Sequence, residues 1–134
     1  MRLVIDSNIV ISALIKDSIS RKIIMNHKFY FISPNYILDE IKKYKNLILR
    51  KSNLTNEQFT IILSILFTRI DIIPERIYTE HFSKASEEIH DIFDVPFLAL
   101  ALSFEDTGIW SDDKHFDIVS SVKIYKTKDL IDYL

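Results

Sequence analysis

Apolar positions in this chain come in two rhythms, short unbroken runs that stop on a polar residue and longer stretches in which they return every three or four positions. Leu3-Val4-Ile5 is the first run, and it stops on Asp6-Ser7-Asn8. A run of that length, bounded so sharply, predicts a buried strand with Asp6 at its C-terminal end. Helical spacing then takes over at Ile9, Ala13 and Leu14, predicting one helix over 8–16 and a second over 19–27. Residues 28–32 are aromatic and β-branched enough for a second strand. Ser33-Pro34 reads as a helix opening, serine as the cap and proline at the first helical position, with Ile37, Ile41, Tyr44 and Ile48 as the buried stripe.

Farther on, Thr55-Asn56-Glu57-Gln58 has the form of a capping box, and Phe59, Ile62, Leu63 and Leu66 with their apolar neighbours predict a helix buried over most of its circumference. Residues 70–74 form a third strand ended by Pro74, residues 77–89 a charged, solvent-facing helix, and residues 97–102 a helix of small and apolar side chains suited to close packing on a sheet. A fourth strand over 108–111 and a fifth over 122–125 precede a closing helix capped by Thr127. Strands and helices alternating in this order imply an α/β fold, a single three-layer α/β/α domain over 1–134 with a mostly parallel sheet of four to five strands.

In such sheets ligands collect where strands hand over to helices, and the acidic residues fall there. Asp6 and the pair Asp112-Asp113 follow strands. At about 100° per residue, Glu40 lies roughly 60° from its helix's buried stripe, while Asp39, Lys42 and Lys43 face water. Asp94 shares the inner face of its helix with Phe97, Leu98 and Ala101. Each has a plainer reading: Asp6 or Ser7 as a helix cap, Glu40 as a boundary residue paired with a lysine, and Asp94 as a cap before Pro96. Four carboxylates in one cleft repel unless neutralised. An all-oxygen site suits a hard cation, Mg²⁺ or Mn²⁺, which can activate water against a phosphodiester.

Composition narrows the alternatives. The chain has 134 residues, no cysteine and one glycine, Gly108. Thiol chemistry, dinucleotide fingerprints and phosphate loops are thereby excluded. No Gly-x-Ser-x-Gly elbow exists, and the four histidines form no His-Glu-x-x-His pair. The net charge of −2 hides an uneven spread. Residues 1–51 carry ten basic and four acidic side chains, and residues 52–134 seven basic and fifteen acidic. That asymmetry fits an anion-steering surface beside an acidic pocket. The N-terminus starts like a signal peptide, but Asp6 and Asn8 interrupt it. The most apolar window, 59–70, falls far short of a bilayer span. A soluble, cytoplasmic protein without membrane association is expected.

The residues Val4-Ile5-Asp6-Ser7-Asn8, Glu40, Asp94-Val95-Pro96-Phe97-Leu98-Ala99-Leu100-Ala101 and Ser111-Asp112-Asp113-Lys114-His115-Phe116, in this order and spacing, resemble the PIN-domain nucleases over nearly the whole chain. The resemblance extends to the VapC-like toxins of toxin–antitoxin pairs. It implies a Mg²⁺- or Mn²⁺-dependent endoribonuclease that leaves 5′-phosphate and 3′-hydroxyl ends. Asp6, Glu40, Asp94 and Asp113 would then be metal ligands, with Ser7, Asn8 and Ser111 positioning ligands or water. Asp112 competes with Asp113 for that role, and Asp91 with Asp94. RNA, a small antitoxin and a second copy of the chain in a homodimer or higher homo-oligomer are the expected partners. The basic helix bearing Lys42, Lys43 and Lys45, with Arg50 and Lys51, would add RNA affinity. Two competing classes are a catalytically inert PIN-like RNA-binding module and a receiver-like phospho-acceptor domain, although the latter wants an acidic pair after the first strand, where Asp6 stands alone.

Overall fold

The computed structural model describes residues 1–16 and 18–134. Five strands, β1 (Arg2–Ile5), β2 (Tyr30–Pro34), β3 (Ile70–Ile73), β4 (Thr107–Trp110) and β5 (Ile124–Tyr125), pair in parallel in the order β3-β2-β1-β4-β5. The first strand is thus the centre of the sheet. Its Leu3, Val4 and Ile5 are fully buried, as an unbroken apolar run between two helical layers requires.

Eight α-helices accompany the strands among the described residues: α1 (Ser7–Ile15), α2 (Ser18–Ile24), α3 (Tyr36–Lys43), α4 (Lys45–Ser52), α5 (Asn56–Phe67), α6 (Phe82–Glu88), α7 (Val95–Leu102) and α8 (Thr127–Ile131). The α7 helix packs against β1, β2 and β4 and carries α6 on its flank, while α1 gathers α2, α3, α4 and α5. Small residues explain how α7 fits: Ala99 and Ala101 sit between Phe97, Leu98 and Leu100, all buried, so the backbone can approach the sheet closely. The Arg21 guanidinium of α2 donates to the carbonyl oxygens of Ala13 and Leu14, closing the C-terminal end of α1. The result is the expected three-layer α/β/α architecture.

Five local expectations need correction. Ser33 and Pro34 do not open a helix; they end β2, with Ser33 buried and its Oγ donating to the Ile5 carbonyl at 3.2 Å. Pro34 closes the strand, where its missing N–H costs least, and Asn35 starts α3 without a side-chain cap bond. The single helix expected through Ile48 is two, broken at Tyr44, where the backbone leaves the helical region and the Tyr44 N–H is shared between the Glu40 and Lys42 carbonyls. Helix α5 has the expected Thr55–Gln58 capping box, yet it is buried along one stripe only. Phe59 and Leu66 face inward, while Ile61 and Ile65 are 59% and 48% exposed, because a helix in the outer layer has neighbours on one side.

The segment expected as one solvent-facing helix over 77–89 begins as two 3-10 turns, Glu75–Ile77 and Thr79–His81, before α6. Tyr78, Ala85 and Ile89 bury its inner side, and the Tyr78 hydroxyl bonds Asn35. Charges along this stretch hid three inward positions. Thr127 is the first residue of α8 rather than its cap, for a reason that lies in the site below.

Candidate active site

Strand register builds the site. Ile5 lies opposite Trp110 in the β1–β4 pair, so the next residues, Asp6 and Ser111, leave the sheet side by side. The Ser111 Oγ donates to Asp6 Oδ2 at 2.6 Å and accepts from the Asp113 N–H at 3.0 Å. This chain of bonds ties the two strand ends together. Asp6 is 2% exposed. It precedes α1 in the cap position, but its side chain makes no cap bond. The plainer reading of Asp6 as a helix cap therefore fails on geometry.

Asp94 behaves likewise. It stands before α7 with its side chain making no cap bond, and its Oδ2 instead lies 3.0 Å from His115 Nδ1. Glu40 reaches the same place from α3, accepting from Ser7 Oγ at 3.2 Å. Asp113 accepts from Asn8 Nδ2 at 3.3 Å and from the His115 N–H at 2.9 Å. Four carboxylates from four separate parts of the fold line one cleft of about 190 Å³, together with Ser7, Asn8, Tyr36, Lys43, Tyr44, Asp91, Phe93 and His115.

The neighbouring acids divide. Asp112 points away from the cleft, accepting from the Thr127 N–H at 2.7 Å and from Thr127 Oγ1 at 2.6 Å. It caps α8 from a distance, which is why Thr127 lies inside the helix. Trp110 Nε1 completes that corner by donating to Thr127 Oγ1. Asp91 remains at the cleft, half-buried, with Oδ1 accepting from the Phe93 N–H and Oδ2 at 3.6 Å from His115 Nδ1.

Crowding and burial appear in the protonation of these groups. Burial pushes Asp6 up to about 7, opposed by the Ser111 bond and reinforced by Asp94, Asp113 and Glu40. Burial likewise raises Asp94 to about 6, against the bond from His115 and with the added repulsion of Asp91 and Asp113. Glu40 is raised for the same first reason, with Ser7 opposing. The Asp94 bond and the surrounding carboxylates hold His115 above the usual histidine range. Buried like charges short of donors favour the neutral form unless a cation joins them.

The donor chemistry fits such a cation. Oxygens dominate, and one oxygen each of Asp91 and Asp94 and one ring nitrogen of His115 lie within 4.8 Å of one another. Carboxylates suit Mg²⁺ and Mn²⁺, and an imidazole admits borderline metals as well.

Sequence reasoning overlooked His115 as a site residue, because its spacing matches no histidine-pair motif. The useful signal was its place two residues after Asp113, the distance at which an aspartate accepts the backbone N–H of the residue two positions on. It also overlooked the aromatic wall. Tyr36 precedes Glu40 by four residues and so shares its helix face. Of the basic residues expected to attract RNA, Lys43 lines the cleft; Lys42 is exposed away from it, and Lys45 lies over the Phe59 ring at 5.4 Å. Among the described residues no helix is long and apolar enough to cross a membrane.

A family model described as a PIN domain matches residues 4–134. A search of curated proteins gave no match. Among solved structures, the chain is similar to one described as VapBC2 from Rickettsia felis bound to a DNA fragment from their promoter, with a TM-score of 0.66 and 16% identity over 94% of this chain and 98% of that one. At that identity the likeness is one of fold. The family match over almost the entire length, together with the parallel sheet and its acidic C-terminal edge, places this chain in the PIN-domain family of nucleases.

Proposed function

We propose that this PIN domain is a divalent-metal-dependent endoribonuclease and the toxin of a toxin–antitoxin pair, working in the cytoplasm. One observation carries the reading: Asp6, Glu40, Asp94 and Asp113 converge on one cleft, where burial raises the pKa of the first three. In this reading these four side chains hold Mg²⁺ or Mn²⁺. The bound cation supplies Lewis acidity toward a phosphodiester oxygen and lowers the pKa of a water.

The protein's own residues prepare that chemistry. Ser111 keeps Asp6 in one orientation by donating to Oδ2, which leaves Oδ1 for a cation. Asn8 and the His115 N–H orient the two oxygens of Asp113, and Ser7 does the same for Glu40. His115 steadies Asp94 and, when protonated, offsets part of the negative charge that incoming phosphate would meet. Asp113 rather than Asp112 is the assigned ligand, since Asp112 is committed to Thr127, and Asp94 rather than Asp91, since Asp94 is the more buried of the two. Lys42, Lys43 and Lys45, with Arg50 and Lys51, draw the RNA backbone toward the cleft.

A receiver-like phospho-acceptor is disfavoured by topology, because that fold orders its strands 2-1-3-4-5 and this sheet runs β3-β2-β1-β4-β5. A small antitoxin is a proposed protein partner, by analogy with the VapBC2 complex, and a second copy of the chain is proposed beside it. The test is incubation of the native protein with labelled RNA in Mg²⁺ or Mn²⁺ beside a chelator control. Cleavage with 5′-phosphate ends that stops in chelator is expected, and cleavage that persists fully in chelator would sink the metal mechanism.

A further inference from the structure

Besides its carboxylates, the cleft is lined by aromatic and cationic side chains. Phe93 lies at the rim in the turn before α7, its ring stacked on Tyr36 with centroids 6.2 Å apart and planes 19° from parallel. Tyr36 comes from the start of α3, so the two rings join separate segments of the chain. Phe93 remains 47% exposed and its neighbour Ile92 74% exposed. Lys43 Nζ sits 5.2 Å from the Phe93 centroid and 5.3 Å from that of Tyr44, and all four of these residues, Phe93, Tyr36, Lys43 and Tyr44, line the same cleft as the acids.

Packing alone does not account for this arrangement. A phenylalanine kept for the core is covered, whereas this one presents about half its surface at the mouth of a polar cleft. Tyr36 backs the ring and the Lys43 ammonium lies over it, yet about half of the residue's surface stays exposed. A half-exposed ring with an ammonium against it offers a nucleobase a flat surface to stack on and a positive charge for the adjoining phosphate. Duplex bases are already stacked on each other and offer no face, so such a wall discriminates in favour of single strands.

We infer that Phe93, backed by Tyr36 and flanked by Lys43, is a stacking platform for one unpaired nucleobase next to the scissile phosphate. The inference rests on the nuclease reading for its scissile phosphate, but the platform is a binding element and can be tested without turnover. Phe93 is thus a specificity-determining residue of the binding cleft, distinct from the acids.

The experiment measures affinity of the full chain in Ca²⁺, which enters oxygen sites, for a short single-stranded RNA carrying 2-aminopurine and for the same sequence as a duplex. Native protein is expected to quench the 2-aminopurine and to prefer the single strand. Phe93→Ala should weaken single-strand binding by about 5- to 150-fold, the range for loss of one base–aromatic stack, remove the quenching and leave duplex affinity unchanged. Phe93→Trp should restore both signals, and Phe93→Leu should restore neither. Unchanged single-strand affinity in Phe93→Ala would overturn the inference. So would equal losses on single strand and duplex, which would make Phe93 a backbone contact. Full rescue by Phe93→Leu would overturn it as well, pointing to an apolar protein contact at this rim. The two readings fail separately: absent metal-dependent cleavage by the native protein removes the nuclease reading, while cleavage with Phe93-indifferent binding removes this one.

Discussion

Two sets of acids in this molecule have opposite surroundings. On the side where α6 meets the segment before β5, Glu88 accepts from the amides and hydroxyls of both Ser120 and Ser121. A slight burial that would raise its pKa is outweighed by these bonds, which hold the carboxyl below the usual range. Asp112 is similarly satisfied by Thr127. At the C-terminal edge of the sheet, Asp6 is buried with one side-chain donor, Ser111, and is pushed up to about 7. The first set is matched by the protein itself and pins loops and helix ends. The second is left short of positive charge, the condition in which an acid awaits a ligand from outside.

The contrast breaks most sharply at the adjacent pair Asp94 and Asp91. The Asp94 side chain makes no cap bond and Asn has the same shape, so Asp94→Asn keeps the fold. It is expected to lower metal-dependent cleavage by more than about 100-fold, beyond the loss of an outer-sphere partner alone. Asp91→Asn, which keeps an acceptor for the Phe93 N–H, should change the rate little. Steady-state cleavage of one RNA by both variants checks this, and a dead Asp91→Asn beside an active Asp94→Asn would reverse the assignment.

A pH series sharpens the same point through stability. The folded Asp6 carboxyl holds its proton up to about 7, against 3.8 when unexposed to the fold. The folded state therefore binds the extra proton between these values, and Asp6 costs the metal-free protein increasing stability as pH rises through that window. Asp6→Asn should match native stability near pH 4 and exceed it by a few kcal/mol at pH 8, at about 1.4 kcal/mol per unit. Denaturant melts in chelator across that range give the difference; a variant less stable than native at pH 8 would contradict the crowding.

On the satisfied side the sign reverses. Glu88→Ala removes exposed bonds to Ser120 and Ser121, whose donors water can then satisfy, and should destabilise by no more than about 1 kcal/mol, with cleavage per folded molecule unchanged. The smallest expected effect belongs to the basic face. Changing Lys42, Lys43 and Lys45 together to alanine should flatten the salt dependence of RNA binding by about 0.7 per lost phosphate contact on a single strand. Titrations at several salt concentrations measure that slope.

The central architecture was readable from the chain because it rests on local signals. The apolar run ending at Asp6 and the small-residue helix after Asp94 were each complete within a few positions, and both lie where expected. Glu40 could be pointed at the cleft because its angle on the helix follows from residue count alone. What escaped depended on partners distant in sequence. Asp112 and Asp113 are neighbours in the chain, and only the position of Thr127 on α8 and of Asn8 on α1 separates their roles. Ser33 resembles a cap in sequence, yet it completes a strand because the Ile5 carbonyl stands beside it. The Phe93–Tyr36 stack joins residues far apart, and no local period could reveal it.

Direct measurement of Mn²⁺ binding tests the whole contrast at once, by following the free-ion paramagnetic signal at pH 7.5 for the native protein, Asp94→Asn and Glu88→Gln. Native protein and Glu88→Gln should bind Mn²⁺ alike, and Asp94→Asn should bind at least about tenfold more weakly. Equal binding by all three, or loss only in Glu88→Gln, would contradict the claim that the donor-poor acids at the sheet edge are the ones that hold a cation.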